Sequence, residues 1–138
     1  MITIKKQEIV KLEDVLHLYQ AVGWTNYTNQ PQMLEQSLAH SLAIYVARDS
    51  EEIVGLVRLV GDGFSSVFVQ DLIVLPTYQR QGIGSDLMKE ALGDYKDAYQ
   101  VQLATEQTEK TLGFYRSLGF ETLSTYDCTG MIWVDRKK

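Results

Sequence analysis

The order of apolar segments predicts a mixed α/β fold in a single domain over residues 1–138: a central, mostly antiparallel sheet of about seven strands with one parallel pair, flanked by four helices. Three observations predict it. Short β-rich segments bounded by turn residues alternate with helical stripes. The run Val67–Pro76 is β-branched and apolar, as a buried strand is. After it, a Gly-containing loop opens into a helix, which forces a crossover to a parallel strand.

The elements follow in order. Ile2-Thr3-Ile4-Lys5 alternates and reads as a strand. Glu13–Val22 reads as a helix with Leu12, Val15, Leu16 and Tyr19 on one face, stopped by Gly23. Trp24–Gln30 reads as a polar loop with two aromatics. Pro31 suits the first turn of a second helix, in which Met33, Leu34, Leu38 and Leu42 recur at helical spacing. Ala43–Arg48 and Ile53–Val60 read as a hairpin around Asp49-Ser50-Glu51-Glu52, with Gly55 at a bulge. Gly61-Asp62-Gly63 turns into the central strand, which Pro76 ends because it has no N–H to donate. Asp86–Leu92 is a good helix former. Tyr99–Ala104 is the parallel strand and Thr108–Leu118 the last helix, ended by Gly119. Phe120–Tyr126 and Met131–Val134 complete the sheet as a closing hairpin around Asp127–Gly130.

Bulk properties exclude several classes. The net charge is −5, and no Lys/Arg cluster outweighs it, so nucleic acid is not an expected partner. The basic run Arg136-Lys137-Lys138 reads as a solvated tail. The sign of the charge favours cationic partners such as amines. One cysteine, Cys128, precludes an internal disulfide and fits the cytoplasm. No signal peptide or membrane-spanning apolar run is visible, so no membrane is expected. His17 and His40 lack metal-ligand spacing, so no metal is expected.

The loop after Pro76 is Thr77-Tyr78-Gln79-Arg80-Gln81-Gly82-Ile83-Gly84-Ser85. It is neither a P-loop nor the Rossmann fingerprint. Helix N-termini carry unpaired N–H groups and partial positive charge, and glycines remove side chains that would hold an anion off. Strand, loop and helix start therefore form a phosphate cradle, although a plain flexible turn explains the same spacing.

A second stretch reads Phe114-Tyr115-Arg116-Ser117-Leu118-Gly119-Phe120, about thirty residues after Gln79-x-x-Gly82-x-Gly84. With Leu72-x-Val74-x-Pro76 and the element order, it resembles the GNAT N-acetyltransferase superfamily over nearly the whole chain. The resemblance implies a GNAT fold whose parallel pair is splayed, and acetyl-CoA as co-substrate. It implies that pantetheine pairs with the backbone of Leu72, Ile73 and Val74. It also implies that the pyrophosphate rests on Arg80, Gln81, Gly82, Ile83, Gly84 and Ser85. Tyr115 matches the tyrosine that returns a proton to the departing thiolate; read without the resemblance, it belongs to a helical core stripe with Leu112 and Leu118.

The sequence departs from the family at three places. Thr108 stands where many members carry asparagine; its hydroxyl is still able to bond the cofactor. Leu103 replaces an acidic residue that serves as base. Gln70-Asp71 replaces an acidic pair on the central strand. Asp71 and Glu106 are thus the candidate bases, each equally readable as a structural or solvated acid. The resemblance locates the acceptor near the first two helices and the closing hairpin, so Trp24, Tyr27 and Tyr126 are its candidate walls. These features, with the resemblance, predict N-acetyl transfer from acetyl-CoA to a primary amine, a small molecule first, with a peptide or protein lysine as the alternative acceptor. An acyl-CoA sensor without turnover is the contrasting class. Dimers through the last strands are common in the family; the sequence itself carries no oligomeric signal.

Overall fold

The structure, a computed structural model, describes residues 1–135. The basic run Arg136-Lys137-Lys138 lies outside the described residues. The chain divides into two compact units, Met1–Leu103 and the part from Ala104 onward.

The first unit holds β1 (Ile2–Gln7), α1 (Leu12–Ala21), α2 (Thr25–Thr28), α3 (Pro31–Ala39), β2 (Ala43–Asp49), β3 (Glu52–Gly61), β4 (Ser66–Val74), α4 (Ile83–Asp94) and β5 (Gln100–Leu103). The strands lie side by side in chain order. The first three pairings are antiparallel and β4–β5 is parallel. Long apolar runs make β2 and β3 central: Ala43–Ala47 and Ile53–Leu59 are buried throughout. Helices α1–α3 close one face of the sheet, where Val15, Leu18, Tyr19, Tyr27, Leu34 and Leu38 pack with Ile44, Val46, Leu56 and Ile73. Helix α4 covers the opposite face through Ile83, Leu87, Met88 and Ala91. The approach is close at Gly55, where an added Cβ would lie 3.2 Å from the Leu87 Cδ1 and 3.1 Å from the Ile73 carbonyl. The bulge expected at Gly55 lies one residue earlier. Ala47 pairs with Gly55 and Arg48 with Ile53, which leaves Val54 as the extra residue.

The second unit holds α5 (Glu109–Ser117) and a 3₁₀ turn, Leu123–Tyr126. Five strands are present among the described residues, not seven, because the closing hairpin does not form. The sequence around Thr122 explains why. Thr122 Oγ1 pairs with Ser124 Oγ at 2.9 Å and with Thr125 Oγ1 at 3.4 Å, and Thr125 donates its amide to the Thr122 carbonyl at 3.0 Å. The Thr125 amide bond closes the backbone into a turn in place of a ladder, and the hydroxyl contacts accompany it. Asp127 then takes a left-handed conformation at φ 58°, and its amide and that of Cys128 close back on Ser124 and Leu123. With the first arm coiled, the second arm, Met131–Val134, forms no strand either and is exposed. A further correction concerns Trp24–Gln30, which is not an open loop: Thr25–Thr28 makes one helical turn and buries Tyr27.

Candidate active site

Strand β4, fourth of the five, is paired on one side only in its C-terminal half. Parallel pairing to β5 runs from Ser66 with Gln100 to Val69 with Leu103 and stops there. Pairing to β3 continues to Val74. Leu75 donates its amide to the Val54 carbonyl at 2.9 Å, which makes Val54 and Leu75 a hydrogen-bonded pair. Such pairs alternate along an antiparallel ladder, so Ile73 and Asp71 turn their backbone groups to β3 while Leu72 and Val74 turn theirs to the open side. Consistent with this, the Val74 carbonyl is reached from outside the ladder by Gln79 Nε2 at 3.0 Å.

The open edge runs straight into the loop. Pro76–Tyr78 forms a 3₁₀ turn, anchored where the Tyr78 hydroxyl donates to Asp49 at 2.7 Å. That bond holds the Asp49 carboxyl below its ordinary value and raises the Tyr78 phenol. Arg80 has φ 65° and Gly82 has φ 83°, both left-handed. Gly82 caps α4 with no side-chain cap bond, and nothing lies within 4 Å of where its Cβ would be. The first intrahelical bond runs from the Asp86 amide to the Gly82 carbonyl at 3.0 Å. The amides of Ile83, Gly84 and Ser85 precede it, so by position they belong to the unpaired first turn. Arg80, Gln81 and Gly82 are exposed, Gly84 and Ser85 half-buried, and Ile83 anchors the turn in the core.

A buried polar network lies beside this edge. Asp71, 2% exposed, receives three donors: Arg58 Nε at 2.7 Å and the Tyr19 hydroxyl at 2.8 Å on Oδ2, and the Tyr27 hydroxyl at 2.9 Å on Oδ1. Arg58 spends its other nitrogens on the Ser41 Oγ at 3.3 Å, the Ser37 carbonyl at 3.5 Å and the Tyr27 oxygen at 3.2 Å. Gln70 Nε2 adds a donor to the Tyr27 oxygen at 3.4 Å. Burial, with the Asp71 charge behind it, raises the Tyr19 and Tyr27 phenols above their ordinary values. Trp24 is half-buried against the same core, with its ring 6.1 Å from Tyr19 and 6.2 Å from Tyr27. Sequence reasoning singled out Asp71 and Tyr27 but missed Tyr19 and Arg58. The signal for Arg58 is the run Leu56-Val57-Arg58-Leu59-Val60, a charge inside an apolar strand that mirrors Asp71 inside its own.

The remaining candidates lie in the second unit. Thr108 caps α5: its Oγ1 accepts the Thr111 amide at 3.1 Å and donates to the Thr111 hydroxyl at 2.8 Å. Two turns on, the half-buried Tyr115 ring meets Phe114 and Phe120 edge-to-face, at 5.0 and 5.9 Å. Burial raises its phenol, whose hydroxyl has no hydrogen-bond partner among the described residues. Glu106 is exposed before α5, and Tyr126 is 69% exposed in the 3₁₀ turn. Among the described residues no group of three or more His, Cys, Asp or Glu is arranged to hold a metal ion.

The family pattern for the acetyltransferase (GNAT) domain matches residues 40–122, from β2 through α5 to the turn that follows it. The chain belongs to the GNAT acetyltransferase family. A GNAT-family acetyltransferase of Streptococcus pneumoniae is 79% identical, with 99% of each chain covered and a TM-score of 0.92. Among curated relatives, GCN5-related N-acetyltransferase 1 of Arabidopsis thaliana, a chloroplastic protein, is 26% identical over 95% of this chain. Serotonin N-acetyltransferase 2 of rice, also chloroplastic, is 28% identical over 66% of it. The chain spans 66% and 48% of the length of those two relatives. A GNAT acetyltransferase of Elizabethkingia anophelis, solved with acetyl-CoA bound, shares the fold at a TM-score of 0.64 and 22% identity, covering 87% of this chain and 76% of that one. GNAT enzymes are acyltransferases that use acetyl-CoA.

Proposed function

We propose that the chain, its two units working as one domain, transfers acetyl from acetyl-CoA to a small primary amine. The observation that carries this is the open edge of β4 at Leu72 and Val74, continuous with the amide-rich loop at the start of α4. The residues fit the co-substrate. Leu72 and Val74 offer outward backbone groups for a pantetheine amide pair, with Ile73 between them. Arg80 to Ser85 offers amides, a helix terminus and one guanidinium for pyrophosphate, with no Cβ at Gly82 or Gly84. A net-acidic chain holds an anion in this way without a lysine cluster. Thr108 is assigned to the cofactor side through its hydroxyl.

When bound, acetyl-CoA supplies an activated thioester. The open amide of Val74 or Leu72 stabilises the oxyanion as the amine attacks. Ile73 is not given that role, because its amide turns to β3. Tyr115 returns a proton to sulfur; burial keeps the phenol protonated throughout the neutral range. Asp71 was one of two candidate bases. With three donors on its oxygens and almost no exposure, it is assigned to positioning, and Glu106 to taking the amine proton through water. Trp24, with Tyr27 behind it and Tyr126, is assigned to the acceptor side. Cytoplasmic residence is retained as part of this reading; no helix among the described residues is long and apolar enough to cross a membrane.

The test is CoA-thiol release from acetyl-CoA against serotonin, tyramine, spermidine and an N-terminally blocked lysine peptide. Amine-dependent release is expected with at least one small amine. Release with the peptide alone would move the acceptor class to proteins. Acetyl-CoA binding without release from any of them would reject acetyl transfer in favour of a sensor.

A further inference from the structure

Gln70 occupies the place where β4 lets go of both neighbours. The β3 ladder passes from Asp71, opposite Arg58, to Val69, opposite Leu59, and skips it. The parallel ladder to β5 ends one residue earlier, at Val69. Gln70 is therefore the bulge residue at the mouth of the open edge, and its side chain is exposed.

The buried network dictates which way its amide faces. The Asp71 carboxylate, paired with the Arg58 guanidinium, only accepts hydrogen bonds. The Tyr27 hydroxyl must then spend its single hydrogen on Asp71. Its oxygen is left as an acceptor, facing Arg58 Nη2 and the Gln70 amide. Only the NH₂ end of an amide bonds to an acceptor, so the carbonyl end is turned away from the network. Gln70 Oε1 has no hydrogen-bond partner among the described residues. A chain of three buried groups, Arg58, Asp71 and Tyr27, thus turns one carbonyl of the exposed Gln70 outward at the end of the edge.

We propose that Gln70 Oε1 accepts an N–H of the acceptor amine and orients its nitrogen for attack. This rests on the acetyl-transfer reading. An arm anchored at Arg80–Ser85 and lying along Val74 and Leu72 reaches Gln70 next, since strand residues follow one another at about 3.3 Å. There the edge closes, and the arm's thioester end stops. A neutral primary amine has two N–H groups and one lone pair: one N–H is held by Oε1 while the lone pair attacks. The N–C bond forms, the C–S bond breaks and the thiolate leaves with the electron pair; the amine nitrogen loses one proton through water to Glu106, and Tyr115 returns one to sulfur. Gln70 stays neutral and carries no proton. A nitrogen without hydrogen finds no partner there, so Gln70 favours amines that carry an N–H.

The test uses the best acceptor from the amine panel, with KM and kcat measured for both substrates. Gln70→Leu is expected to raise the amine KM about tenfold, the effect of one lost hydrogen bond. The acetyl-CoA KM and the unfolding midpoint should stay at wild-type values. Gln70→Glu keeps an acceptor oxygen but loses the NH₂ that docks on the Tyr27 oxygen, so its amine KM should rise less than that of Gln70→Leu. An unchanged amine KM in Gln70→Leu overturns the proposal, as does an equal rise in both variants. If wild type releases no thiol with any amine, the acetyl-transfer reading fails and this inference with it.

Discussion

Arg58 and Asp71 stand directly opposite each other on β3 and β4, joined at 2.7 Å and almost wholly buried. Each charge interrupts an otherwise apolar strand, and each cancels the other's desolvation. Removing one leaves the other buried and unpaired. Arg58→Met or Asp71→Asn alone should therefore destabilise the fold by about 3–5 kcal/mol. The double variant should lose less than the sum of the two, because no unpaired charge remains. Urea unfolding of the four proteins checks this. Additive losses would mean that the pair contributes as two independent groups.

Gly82→Ala isolates the backbone conformation of the loop. No atom lies near the added methyl, so a steric collision is excluded and only the left-handed φ of 83° opposes it. The strain should be about 1–2 kcal/mol. Part of it will be relieved by distorting the loop, which should weaken acetyl-CoA binding several-fold by calorimetry. Unaltered binding would remove the loop geometry from the cofactor site.

Tyr115→Phe separates proton delivery from packing. The edge-to-face contacts with Phe114 and Phe120 survive the change, so the fold and acetyl-CoA binding should be retained while kcat falls 10²–10⁴-fold, an order-of-magnitude range for general acid catalysis. Because burial raises the phenol above its ordinary value of 10.0, the alkaline fall in kcat caused by its ionisation should lie above pH 10 in wild type and vanish in the variant. A variant with undiminished kcat would leave Tyr115 a packing residue.

The raised phenols also set the alkaline limit of stability. Tyr19 and Tyr27 have higher values folded than unfolded, so folding favours their protonated forms. Their contribution is complete below the unfolded value and is lost as pH rises toward the folded one. Unfolding midpoints should hold to about pH 10 and drop steeply above it. Tyr19→Phe should flatten that drop at the expense of stability at neutral pH. An equally steep drop in the variant would assign it to other groups.

The first four strands and the three longer helices of the first unit, α1, α3 and α4, were legible because their residues are locally consistent: alternation, a proline at a helix start, glycine at the turns. The charged pair was half legible. Asp71 announced a buried partner, but nothing in the sequence gives the register that brings Arg58 opposite, and the tyrosines that complete the set come from helices packed across the sheet. The closing hairpin failed for the opposite reason. Met131–Val134 has strand composition, yet a strand needs a neighbour, and Thr122, Ser124 and Thr125 coil the neighbour on itself. The open edge was anticipated only through family resemblance; no residue type encodes the point at which two strands stop pairing.

That edge has a bearing on the lifetime of the protein. Sheets normally guard such backbone with lysines, prolines or a covering element, because unpaired amides recruit strands from other chains. Here Leu72 and Val74 offer apolar, β-favouring side chains at the point where β5 stops. A molecule that lies along them does more than take part in a reaction: it closes a template for self-association. If acetyl-CoA occupies this edge, as proposed, its binding also covers the template, and the chain without it is expected to aggregate more readily.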